Sequence, residues 1–125
     1  MIVGVGNDIL EVARLKREID SAGASFLNSI FTSKEIEYCQ AKRYPERHFA
    51  ARFAAKEAVF KAIPMASQNG ITWNDIEILN YADGRPYILL HAKAKDMASE
   101  SKITGIHLSL SHTNDYALAN VILES

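Results

Sequence analysis

ERHFAARFAAKEAVFKAI, residues 46 to 63, is the longest helical stretch in the chain, and the fold is read outward from it. Pro45 suits the first turn of a helix, where the missing N–H is not needed, and Pro64 stops the run. Alanine, valine and phenylalanine mark it as a helix to be buried. Yet Arg52, Lys56, Glu57 and Lys61 ride on its flank. Buried helices do not ordinarily carry one acid and three bases there.

The rest of the chain reads as cover for this helix. MIVGVGNDI, residues 1 to 9, is an apolar, β-branched run broken by Gly4 and Gly6, and predicts a buried strand ending near Asp8. In LEVARLKREI, Leu10, Ala13, Leu15 and Ile19 share one side and Glu11, Arg14, Arg17 and Glu18 the other, so a helix should follow and stop at Gly23. TSKE, residues 32 to 35, matches a capping box, which starts a helix expected to reach about Arg43. After the loop formers of PMASQNG, residues 64 to 70, TWNDIEILN and RPYILLH flank an Asp83-Gly84 turn as a β-hairpin. Residues 92 to 101 have helical composition, then GIHLSLSH and DYALANVIL alternate as paired strands. The expected fold class is α+β: a single small domain over 1–125 with an antiparallel sheet packed on the long helix.

Length and composition narrow the function. The 125 residues, 48% apolar and 23% charged, are those of one ordinary globular domain, whose large surface-to-volume ratio oligomerisation would relieve. One cysteine, Cys39, cannot form an internal disulfide, no signal peptide is evident and no run is long enough to span a membrane, so a cytoplasmic location is expected. The net charge of −1 conceals an excess of bases between Lys42 and Lys61, six against two acids, and a cluster of Arg14, Lys16 and Arg17. Something anionic should meet them. Without interleaved exposed aromatics, and in a chain not basic overall, nucleic acid is a poor partner; a compact polyanion or an acidic protein suits better.

Asp8 ends a glycine-flanked strand, so it reads on position alone as the N-cap of the next helix, or as a rigid carboxylate that a ligand can approach closely. Glu57 and Lys61, four residues apart, form either an exposed ion pair or part of a site. Ala54, Ala55, Ala58 and Ala62 favour the site, since small side chains would leave room beside the stripe. One carboxylate among Arg52, Lys56 and Lys61 is the chemistry of a metal and phosphates held together. His112, in SLSHTND, sits at a turn with Ser109, Ser111 and Thr113. No Ser-His-Asp signature, GxSxG elbow, Walker loop or zinc-spaced cluster is present.

Three blocks together, VGVGNDILEVARL, ERHFAARFAAKEAVFKAI and IHLSLSHTNDYALANVIL, resemble in order and spacing the holo-acyl-carrier-protein synthases, the short bacterial type of 4'-phosphopantetheinyl transferase. NDIEI and DGRPYI are similar to the family's middle region. Two places depart: the chain reads IPMASQNG where a Gly-Thr-Gly-like turn is common, and Asn7 where Thr is common.

The resemblance implies transfer of the 4'-phosphopantetheine arm of coenzyme A to a serine of acyl carrier protein, with Mg²⁺ required and adenosine 3',5'-bisphosphate released. It implies Asp8 and Glu57 as metal ligands and Lys61 as the neutraliser of charge on the attacked phosphate. Arg52, Lys61, His112 and Thr113 would contact coenzyme A. Glu57, a metal-held water and His112 are the possible bases, with Glu57, directly or through such a water, the expected one. Arg14 and Arg17 would dock the acidic carrier protein. A homotrimer with active sites between subunits is likewise implied. The competing reading is a non-enzymatic oligomeric module that binds a nucleotide-like anion or an acidic protein, but it leaves Asp8 and Glu57 without a purpose.

Overall fold

Gly4 and Gly6 decide how the first strand meets the long helix. In the computed structural model, which describes residues 1–64, 66 and 70–125, strand β1 (Ile2–Glu11) lies directly against helix α4 (Pro45–Ala62). A Cβ on Gly6 would overlap the carbonyl oxygen of Ala58, and one on Gly4 that of Ala62. Only glycine permits this approach. The alanines therefore serve a different end from the one expected: Ala54, Ala55 and Ala58 are wholly buried against the sheet and leave no room for a ligand.

Between β1 and α4 the chain forms α1 (Val12–Ala22), α2 (Ala24–Ile30) and α3 (Ser33–Gln40). Strand β1 runs three residues past Asp8, and α1 starts without a side-chain cap, its Val12 N–H donating instead to the Asp115 carbonyl at 2.8 Å. The N-cap reading of Asp8 is thus wrong. Val12 and Leu15 are buried on α1 and Ala13 is exposed, which rotates the expected apolar face. Gly23, at φ 57°, ends α1 as predicted, but its carbonyl also accepts from Leu27 in α2, a helix the spacing did not announce. The capping box of α3 is present in full, although the helix stops at Gln40.

Beyond α4, Trp73–Asp75 is a 3₁₀ turn rather than the start of a strand. Strands β2 (Ile76–Asn80) and β3 (Pro86–Leu90) form the expected hairpin about Gly84, and α5 (Ala92–Glu100), β4 (Gly105–His112) and β5 (Tyr116–Glu124) complete the chain. The departure at IPMASQNG falls largely on residues 65 and 67–69, outside the described ones.

The larger sheet is antiparallel in the order β1-β5-β4. Ala117, Ala119, Val121 and Leu123 of β5 alternate inward and are fully buried beneath α4. Side chains of the size of Val121 and Leu123 each stabilise the fold by about 1.5–3 kcal/mol through such burial. A second cluster, in which Phe31, Phe49 and Leu15 meet, joins the short helices to the N-terminal half of α4. The α+β class and an antiparallel sheet packed on a long helix are what the structure has.

Candidate active site

Asp8 pairs with Ala119 in the ladder, on the face of β1 turned toward α4. There Lys61 Nζ donates to Asp8 Oδ1 at 2.9 Å and to the Asn7 carbonyl at 3.2 Å. Glu57, one turn before Lys61, brings its carboxyl within hydrogen-bonding reach of Asp8. Burial pushes the Glu57 carboxyl above the usual range, and the neighbouring Asp8 pushes further, while Lys61 and Arg14 oppose both. Residues far apart in sequence are thus gathered by the strand-on-helix contact that the glycines allow.

These groups open on a cleft of about 390 Å³ between β1, α1, α2 and α4. Asp8, Glu57, Arg14 and Glu18 supply its polar lining, and Leu15, Phe26, Ile30 and Phe53 its apolar one. Such a cleft can hold a flexible, partly apolar chain whose charged end lies at the carboxylates.

Two carboxylates packed side by side repel each other unless a proton or a cation stands between them. The donors are oxygens only, and among the described residues no group of three or more His, Cys, Asp or Glu is gathered that would cage an ion with protein alone. This donor set fits Mg²⁺, which takes one or two carboxylates and fills its shell with water and phosphate oxygens.

The other expected ligand residues lie elsewhere on α4. Arg52 is only 3% exposed; it donates to Asn80 Oδ1, stacks 4.0 Å over the Tyr38 ring and has an Nε without a partner. It lines a second cleft with Lys34, Tyr38, Asn80, Tyr81 and Tyr87. The His112 ring packs on that of His48 at 5.1 Å. His48 is held below the usual imidazole range, first by burial, then by its neighbours His112, Arg52, Lys42 and Arg47. The Thr113 hydroxyl accepts from the N–H groups of Asp115 and Tyr116 at 3.2 and 3.1 Å, so it braces the β4–β5 turn.

Lys56 does not belong to either cleft. Its side chain is fully buried, with Nζ 2.8 Å from Glu35 Oε1, which removes it from the cations expected to face phosphate. Burial pulls its pKa down against the pull of Glu35. On α1, Arg14 lines the first cleft, Lys16 is tied to Asp20 at 2.7 Å, and Arg17 is exposed 4.0 Å from Glu11. Sequence reasoning missed Glu35 as anything but a cap, and missed Tyr38, His48, Asn80 and Phe53. For His48 the local run of bases was a usable signal; for the others only the fold brings them together.

With this geometry described, comparison with known proteins is specific. The sequence profile of the 4'-phosphopantetheinyl transferase superfamily matches residues 4–121. The holo-[acyl-carrier-protein] synthase of Koribacter versatilis is 48% identical over 124 residues, 99% of each chain. That of Geotalea daltonii is 41% identical with the same coverage. Among solved structures, the holo-[acyl-carrier-protein] synthase of Neisseria meningitidis superposes with a TM-score of 0.85 at 32% identity over 100% of both chains. The Bacillus anthracis enzyme, solved in complex with CoA (3',5'-ADP), gives 0.80 at 32% identity over 100% of this chain and 98% of that one. A match of this extent, in sequence and in fold, means that the chain belongs to the 4'-phosphopantetheinyl transferase superfamily.

Proposed function

We propose that this protein moves the 4'-phosphopantetheine arm of coenzyme A onto a serine of apo acyl carrier protein, as a cytoplasmic holo-acyl-carrier-protein synthase. The observation that carries the proposal is the meeting of Asp8, Glu57 and Lys61 at the mouth of one partly apolar cleft. A free buried thiol at Cys39 is in keeping with a reducing setting.

Asp8 and Glu57 would hold a Mg²⁺ ion, whose charge would polarise the diphosphate of coenzyme A. Glu57, already inclined to hold a proton by burial and by Asp8, takes the serine proton directly or through a water. The serine oxygen forms a bond to the phosphorus that carries the pantetheine arm, and the bond from that phosphorus to the bridging oxygen breaks, releasing adenosine 3',5'-bisphosphate. Lys61 is placed to neutralise the charge that grows on the attacked phosphate. Asp8, with one oxygen on Lys61, orients both.

Arg52 and His112 would meet phosphate or nucleotide oxygens of coenzyme A, together with the Thr113 turn. At about 100° per residue, Arg52 and Glu57 stand about 140° apart around α4. That separation supports a homotrimer in which the Arg52 region of one subunit completes the Glu57 cleft of another. The outer face of the larger sheet, with Val5, Ile9, Leu118 and Ile122 exposed, supports contact between copies as well. Arg14, in the cleft lining, and Arg17, exposed on the same helix, suit an acidic carrier protein.

The test is mass spectrometry of apo carrier protein incubated with coenzyme A and Mg²⁺, with and without chelator. The expected result is a gain of one phosphopantetheine arm that chelation abolishes. No gain with any apo carrier protein tried would overturn the proposal, and a gain indifferent to chelator would overturn its metal part.

A further inference from the structure

Six of the buried residues of helix α4, Ala50, Ala51, Ala54, Ala55, Ala58 and Ala62, make up a face of small side chains, to which Phe49 and Val59 add larger ones at its flanks. Small side chains make low ridges, so this face resists rotation about the helix axis poorly. Lys56 is different. Its ammonium donates to the Trp73 carbonyl at 2.9 Å and to the Ile76 carbonyl at 2.7 Å, and stands 2.8 Å from Glu35 Oε1 as an ion pair. Glu35 is held in turn, accepting the Thr32 N–H on Oε1 at 2.8 Å and the Ile78 N–H on Oε2 at 2.9 Å.

One buried pair therefore ties together α3, α4 and β2. A second layer holds it: Glu77, beside Ile76, accepts from the Thr32 hydroxyl and stands 3.0 Å from His91 Nε2. A buried ion pair is weak evidence of stability in itself, and what this one adds is direction. Adjacent residues on a helix are about 100° apart, so Lys56 turned toward Glu35 leaves Glu57 turned toward Asp8.

We propose that Lys56 and Glu35 are positioning residues for the transfer reaction: they set the rotation of α4, and through it where Glu57 and Lys61 stand against Asp8. The inference rests on the roles proposed above for Asp8, Glu57 and Lys61. An error of about 1 Å in such a group can cost about 10²-fold in rate.

The test compares Lys56→Met with Val59→Ala, a core truncation on the same helix outside the clamp, at a temperature where circular dichroism shows both folded. Lys56→Met should lower kcat at least about tenfold, with KM for coenzyme A and for carrier protein changed less than about twofold, while Val59→Ala keeps kcat within about twofold. In a crystal structure of Lys56→Met, the Glu57 carboxyl should stand about 1 Å or more from its present place against Asp8. Should Lys56→Met not fold, Glu35→Gln, which keeps an acceptor for the α3 cap, carries the same readouts. A kcat no lower than that of Val59→Ala, or a Glu57 carboxyl still within about 0.5 Å of its place, overturns the clamp. Absence of transfer by the unmodified protein would sink the proposed reaction instead, and the crystallographic readout would still decide the clamp.

Discussion

Glu57 works under two pressures that act in the same direction, since both burial and Asp8 favour its protonated form. A carboxyl that holds its proton more tightly in the folded protein than in the unfolded chain favours folding below about pH 4.5, the ordinary glutamate value. That contribution is lost as pH rises through the higher folded value. Near neutral pH, Glu57→Gln should therefore raise the stability of the metal-free protein, by about 0.5 kcal/mol, and the gain should vanish in acid. Urea midpoints at about pH 4 and about pH 7 check the sign. Added Mg²⁺ should stabilise the unmodified protein and not the variant. Turnover should fall by about 10²-fold or more in the same variant, because the base is gone. Near-full turnover at saturating Mg²⁺ would remove Glu57 from that role. That Asp8, Glu57 and Lys61 are candidates was legible in the sequence, because acids and bases stand out in apolar runs. Which base faces which acid was not: Lys56 and Lys61 read alike in sequence, and the fold makes one a buried clamp and the other a partner of Asp8.

Among the elements, the β1–α4 contact carries the site, and it depends on two missing side chains. Gly6→Ala would drive a methyl into the Ala58 carbonyl, backbone against backbone, with no flexible group to yield. A loss of about 1–3 kcal/mol is expected in chemical denaturation. Activity should fall further than stability alone explains, because β1 also carries Asp8. The alternation of β4 and β5 and the capping box of α3 were readable, since both are local patterns of side chains. The end of β1 was not, because Asp8 in a Gly-Asn-Asp run looks like a cap, while its pairing with Ala119 is set by a strand more than a hundred residues away. Helix α1 presents its charges at the cleft mouth, but unequally. Arg14 lies close enough to Glu57 to influence its proton, so reversing its charge would disturb both substrates. Arg17, exposed and not among the groups that act on Glu57, is the cleaner probe of docking. Arg17→Glu should raise the KM for carrier protein by about tenfold and leave that for coenzyme A unchanged, with the difference shrinking as salt is added. Equal effects on both substrates would reject this face as the docking surface.

At the scale of the whole molecule, the larger sheet has one face on α4 and the other open. On the open face the ladder places Val5 beside Ile122 and Ile9 beside Leu118, with Asn7 and Asn120 between them. Val5 is 63% exposed and Ile9 65%, which is much apolar surface for a small monomer to leave to water. A second copy could approach this face without displacing α4. Val5→Asp tests this with little risk to the fold, because the side chain already faces solvent and touches neither cleft. The variant should keep its circular dichroism spectrum and unfold within about 0.5 kcal/mol of the parent, yet sediment as a smaller species than the parent. If sites lie between subunits, phosphopantetheine transfer should fall with the trimer fraction and recover at high protein concentration, as mass action requires. A Val5→Asp protein that sediments as the parent does would move any interface elsewhere, and one that is monomeric but fully active would confine the reaction to a single chain.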